Sequence, residues 1–115
     1  MDMTYFSFTP EALREKKLKI AIVFIHESAS FEIWLSGYNK SIQVKYWKYF
    51  KEKKMKKYHV PEDIKGIDSI VEYKIKEKAD FNDLNKLRSQ IEKETLSFIK
   101  DITAFLEKEK QVKKT

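Results

Sequence analysis

Acid–base chemistry in this chain would have to come from two histidines, His26 and His59. His26 precedes Glu27 at the end of an apolar run, a pairing that suits a general base oriented by a carboxylate. A nucleophile and a group to stabilise developing charge would have to complete such a site, and no spacing in the chain supplies them. A histidine closing a core strand is the simpler reading. His59 stands in a polar loop with no apparent partner. Metal ligation by His26, Glu27 and Glu32 would need both carboxylates on one face of a hairpin, which their spacing does not fix. The only glycines are Gly37 and Gly66, so phosphate-cradling loops are absent, and so is the nucleophile elbow of serine hydrolases.

The run Asp68–Lys74, DSIVEYK, offers two carboxylates and a lysine, the set with which a metal-dependent nuclease holds a cation near a scissile phosphate. Acid-x-Lys also occurs at Glu15–Lys17, Glu52–Lys54 and Asp63–Lys65. In a chain this charged such pairs arise by chance, and a solvated Glu72 and Lys74 account for the pattern. The sequence assigns no catalytic residue, no metal ligand and no cofactor, and a nuclease-like enzyme ranks third among the readings.

Binding chemistry is better supplied. Lys40–Tyr58 holds eight lysines against Glu52 alone, more than the net charge of +6 of the whole chain. Lys45, Lys48, Lys51, Lys54 and Lys57 could neutralise phosphates, and Trp47 and Tyr58 could stack on bases. The same patch would attract an acidic protein. The chain has only two arginines, Arg14 and Arg88, so the clamps that read guanine edges are scarce and any nucleic-acid binding would be non-specific. The plain alternative is a solvated helix face.

These residues must be positioned by one domain of ordinary size, since 115 residues suffice for a core. A hydrophobic content of 42% with 14% aromatics argues for folding despite 37% charge. Cysteine is absent, which fits a reducing cytoplasm. The N-terminus lacks a basic segment followed by an apolar run, so no signal peptide is read. The apolar run Ile20–Ile25 is too short to span a bilayer, and no membrane partner is expected.

Periodicity predicts a strand over Thr4–Phe8 and a brief helix to Lys17, with Thr9 as N-cap and Pro10 in its first turn. A strand over Leu18–Glu27, apolar on both faces, should lie centrally. After a turn at Ser28–Ser30, Phe31–Tyr38 alternates Phe31, Ile33 and Leu35 against Glu32, Trp34 and Ser36, completing an antiparallel hairpin. Asn39 or Ser41 should cap a basic helix that carries Ile42, Tyr46, Tyr49 and Phe50 on one face and frays near Met55–Tyr58. Val60–Asp68 reads as a loop. Ser69–Lys76 reads as a strand burying Val71, Tyr73 and Ile75. Asp80 should cap a long helix whose stripe is Leu84, Leu87, Ile91, Phe98, Ile102 and Phe105. The fold class is α+β: about four mostly antiparallel strands, with the basic helix and the long C-terminal helix packed on the sheet. Residues 1–106 form a single domain, and 107–115 a frayed basic tail.

The segments MDMTYFSFTPEALREKKLKIAIVFIHE, FEIWLSGYNKSIQVKYW, KGIDSIVE, ADFNDL and IEKETLSFIKDITAFL together resemble a bacterial family of small proteins known only as a domain of unknown function. The resemblance covers nearly the whole chain. It implies a common fold and supplies neither an activity nor site residues. It also implies a chain shortened at its N-terminus, since typical members carry further helical sequence before the point matching Met1.

The expected role is therefore a non-enzymatic cytoplasmic binding domain, with a nucleic-acid-associated accessory to a nuclease or defence system as the alternative. Met3–Phe8 is aromatic on both sides, which suits pairing with another chain. A two-fold homodimer is expected through that strand, the outer face of Trp34, or the stripe near Phe105.

Overall fold

The computed structural model describes residues 3–63, 69–75 and 81–113, with side chains described through Glu107. Backbone contacts divide the chain into two compact units, Met1–Ala79 and Asp80–Thr115.

The first unit is built on a four-stranded sheet in the order β1-β2-β3-β4, antiparallel throughout. β1 is Met3–Phe8, one residue longer than the alternation indicates. A single helical turn, α1 (Glu11–Arg14), follows. It stops three residues before the expected end because Lys17 turns left-handed, at φ 58°, and its carbonyl receives the Tyr38 N–H. Pro10, not Thr9, is its N-cap. The Thr9 hydroxyl instead accepts from Tyr38 Oη at 2.8 Å.

β2 (Leu18–Ile25) and β3 (Ser30–Gly37) form the expected hairpin, with Leu18 opposite Gly37 and Ile25 opposite Ser30. The strand ends two residues earlier than the sequence suggests. His26 and Glu27 belong to a four-residue turn closed by Ala29 N–H on the His26 carbonyl, with Ala29 left-handed at φ 50°. Register places Phe6, Phe8, Ile20, Ile22, Phe24, Phe31, Ile33 and Leu35 on one face. Ile20 on this face and Val23 on the other are both fully buried, so β2 is covered on both sides.

Helix α2 (Lys40–Glu52) starts at Asn39, whose Oδ1 accepts the Ile42 N–H at 2.9 Å. Tyr46, Phe50 and, unexpectedly for a polar residue, Gln43 are buried. Gln43 reaches back to β3, where its Oε1 accepts the Gly37 N–H at 2.7 Å. The helix ends several residues short of the expected fraying point. Lys54 adopts φ 54°, its N–H bonds the Lys51 carbonyl, and the Met55 N–H bonds the Phe50 carbonyl. This is a complete Schellman cap with lysine where glycine is usual.

β4 is Val71–Lys74, pairing Leu35 with Val71 and Glu32 with Lys74. Val71 and Ile75 are buried as expected, and Tyr73 partly so. On the far side of β4, His59 and Glu72 exchange both backbone bonds, at 3.0 and 2.8 Å. The short segment at His59 thus occupies that edge, a pairing no sequence pattern announces. Among the described residues, no strand pairs with the outer side of β1.

In the second unit, α3 runs Leu84–Lys113. Its last turns therefore fall within the 107–115 segment, which contains no glycine or proline. Asp80 lies outside the described residues. Asp83 supplies the cap, its Oδ1 accepting the Lys86 N–H at 3.1 Å. Leu87, Phe98, Ile102 and Leu106 are buried, and Ile91 and Phe105 partly so. Leu84 departs from the expected stripe: it is 66% exposed, since it sits in the first turn, beside the cap.

Candidate interaction surface

The lysine-rich segment is divided by its cap. Lys45 and Lys48 lie exposed on α2 and Lys51 is half-buried there, whereas Lys54 and Lys57 lie exposed beyond the helix end. Several of the ammonium groups sit over neighbouring rings: Lys45 over Tyr46 at 5.3 Å, Lys51 over Trp47 at 5.8 Å and Lys57 over Tyr58 at 5.8 Å. Such contacts shield aromatic surface while the charge stays wet. Trp47 is half-buried, and its Nε1 donates to the Pro61 carbonyl at 2.7 Å. Tyr58 is 8% exposed and packs edge-on against Tyr73, ring centres 5.3 Å apart. Both lie across the His59–Glu72 bridge, so the ring belongs to the core. Tyr58 therefore offers no open ring face to a base, and Trp47 is partly covered. Of the lysines named from the sequence, Lys45, Lys48, Lys54 and Lys57 are exposed.

The catalytic candidates are not brought together. His26 Nε2 and Thr4 Oγ1 are hydrogen-bonded at 2.8 Å, and the His26 ring meets Phe24 edge-on at 4.8 Å. The histidine thus ties the start of β1 to the hairpin turn. Glu27 is exposed in that turn. Glu32 accepts from Trp34 Nε1 at 2.9 Å, and Glu72 accepts from the Ser69 hydroxyl at 2.5 Å. Glu72 is accordingly half-buried and bonded, not freely solvated as its alternation with Lys74 suggests. Asp68 lies outside the described residues. Among the described residues, no group of three acidic or histidine side chains is placed to hold a metal ion. Among the described residues, no helix is long and apolar enough to cross a membrane.

The surface that stands out is β1. Its outer edge is open among the described residues, and Tyr5 and Phe6, on opposite faces, are 67% and 66% exposed, with Met3 at 39%. Phe6 stands 6.0 Å from Phe8, and Phe24 lies 4.9 Å from Phe31 on the same face of the sheet. Phe8, Phe24 and Phe31 are only half-buried. An aromatic patch therefore continues inward from the edge. The strand MTYFSF has no charged residue in a chain that is 37% charged. Natural sheets usually guard an open edge with lysine, proline or a bulge, and β1 has neither lysine nor proline.

The hydrogen-bond alternation shows which backbone groups the edge offers. The Ile75 N–H bonds the Phe31 carbonyl, so odd-numbered residues of β3 face β4 and even-numbered ones face β2. Carried through the register, Thr4, Phe6 and Phe8 bond β2, and Met3, Tyr5 and Ser7 turn their N–H and C=O groups outward.

No curated protein and no solved structure matches this chain. A family model does, over residues 1–106, which takes in the sheet, both short helices and α3 as far as Leu106. The chain belongs to the family described as a domain of unknown function, DUF7000.

Proposed function

We propose that this chain is a non-enzymatic cytoplasmic interaction domain, working as one unit over residues 1–106, and that β1 is its contact element. One observation carries the reading: an open, uncharged edge strand bearing large apolar side chains on both faces. An extended segment added to such an edge gains main-chain hydrogen bonds, while Tyr5 and Phe6 supply apolar contact on either side. A photocrosslinking residue placed at Tyr5 in the full chain in cells tests it. Discrete adducts are expected at position 5 and none at Ser89, an exposed control on α3. A position 5 as silent as position 89 would sink the proposal.

A second reading keeps the exposed lysines as an electrostatic surface for nucleic acid or an acidic protein. It is supported by the absence of any ion pair to Lys45, Lys48 or Lys54 among the described residues. Binding through charge alone should fall steeply with salt. Replacing Lys45, Lys48, Lys54 and Lys57 by glutamate should abolish retention on duplex DNA at low salt without unfolding the domain. No retention of the unmodified chain at low salt refutes this reading.

A further inference from the structure

We infer that the occupant of the β1 edge is a second copy of this chain, joined antiparallel about a two-fold axis through Tyr5. The inference rests on the preceding proposal that β1 is a contact element, and it names the partner.

Register and charge both favour a second copy. Two copies of one edge can pair antiparallel only if outward-facing residues meet outward-facing residues. Because Met3, Tyr5 and Ser7 are the outward residues, the allowed two-fold registers are centred on a residue and never between Tyr5 and Phe6. Centred on Tyr5, the strand forms three pairs that exchange both hydrogen bonds: Tyr5 with its copy, Met3 with Ser7, and Ser7 with Met3. Centred on Phe6, only Tyr5 with Ser7 and its mirror remain. The Tyr5 register therefore satisfies more of the open edge. It also sets Phe6 against Thr4 of the second copy, extending the aromatic face across the axis.

Charge selects for self-pairing. A homotypic edge places each side chain opposite or near its own kind, and like charges there are destabilising. In a chain of net charge +6 with 24 basic residues, an edge of Met3-Thr-Tyr-Phe-Ser-Phe8 is neutral at every position. It meets itself with no repulsion, and it offers a foreign partner no charge by which to be recognised. Closed two-fold association of identical chains is the commonest outcome of such a surface.

The absence of cysteine in these 115 residues makes the geometry directly testable on the purified chain. In the proposed register the two position-5 Cα atoms lie about 5.5 Å apart, within disulfide reach. The two position-7 Cα atoms lie about 14 Å apart at the usual rise of a strand. Tyr5→Cys should therefore oxidise to a covalent dimer under mild conditions, and Ser7→Cys should not. Light scattering should give a dimer mass for the unmodified chain at micromolar concentration. Tyr5→Lys combined with Ser7→Lys should give a monomer mass with unchanged far-UV circular dichroism.

A monomer mass that persists at the highest soluble concentration, with Tyr5→Cys staying reduced, overturns the inference. So does a dimer that the two lysines leave intact. Faster oxidation of Phe6→Cys than of Tyr5→Cys overturns the register. Should the double lysine variant fail to fold, the cysteine pair still decides. Photocrosslinks at position 5 to other proteins only, with no self-adduct, overturn the second copy while leaving β1 as a contact element. Silence at position 5 removes both.

Discussion

Gly37→Ala should destabilise the fold by about 2 kcal/mol, although alanine is ordinarily the better strand residue. Gly37 closes β3 where the chain turns into α2. A Cβ built there would lie 2.7 Å from the Gln43 backbone nitrogen and 3.1 Å from both Gln43 Cα and the Ile42 carbonyl carbon. These are backbone atoms of the first helical turn. They are pinned by the Asn39 cap, through the Ile42 N–H on its Oδ1 at 2.9 Å and the Gln43 N–H on its carbonyl at 3.0 Å. A rotamer change cannot relieve the contact, so strand and helix must separate by several tenths of an ångström. Overpacking of this kind costs about 1–3 kcal/mol. The same shift stretches the Gly37 N–H bond to Gln43 Oε1, now 2.7 Å, a loss of about 1 kcal/mol. Against this, alanine narrows the unfolded ensemble, returning about 0.4–1 kcal/mol. The net of about 2 kcal/mol lowers the melting midpoint by roughly 8 °C for a chain of this size. Urea unfolding followed by far-UV circular dichroism reads the loss as a lower midpoint at constant slope. Because the clash is with backbone, Gln43→Ala should add its own cost without rescuing Gly37→Ala. A midpoint unchanged or raised in Gly37→Ala, or restored by Gln43→Ala, would refute the reasoning.

Lys54→Gly should stabilise the domain by about 0.5–1 kcal/mol, because the cap position holds φ 54°, where a side chain clashes with the following carbonyl; a lower urea midpoint would contradict it. Thr95→Val should stabilise by about 1 kcal/mol. Thr95 is buried, its hydroxyl has no hydrogen-bond partner among the described residues, and an unpaired buried hydroxyl is better replaced by a methyl of the same shape; the melting midpoint decides. Phe98→Ala should cost about 3–5 kcal/mol because the ring is fully buried, whereas Leu84→Gln, at a position 66% exposed, should change the midpoint by less than about 0.5 kcal/mol. Equal effects of the two would show that the stripe on α3 is misplaced.

The elements with strong local signals were legible from residues alone. The hairpin follows from β-branched runs around a short polar turn, and α2 from apolar residues at helical spacing after Asn39. What escaped were features set by backbone conformation in residues with no special propensity. Lys17, Ala29 and Lys54 all take positive φ: Lys17 and Lys54 lie just past helices that stop earlier than the pattern suggests, and Ala29 lies in the turn between β2 and β3. With only two glycines in the chain, such positions carry no mark. Trp47 and Tyr58 looked available because charge surrounds them in sequence, yet the lysine heads reach over rings that the Pro61 carbonyl and Tyr73 already hold. The β1 strand was legible as an aromatic surface. Which backbone groups it offers was not, because that depends on the register of every strand between it and β4.

The bridge at His59 decides how far this sheet can grow. It fills the β4 edge with a single reciprocal pair, two residues before Pro61, which has no N–H with which to continue a ladder. One rim of the sheet is sealed and the other is not. Among the described residues, strand addition is therefore open at β1 and hindered at β4. If a second copy docks on β1 as proposed, the pair carries this stopper on both outer rims. An exposed uncharged edge is ordinarily the seed of a fibre. With a stopper on the opposite rim the proposed pairing would stop at two copies, and opening the His59–Glu72 bridge should expose a second edge for strand addition.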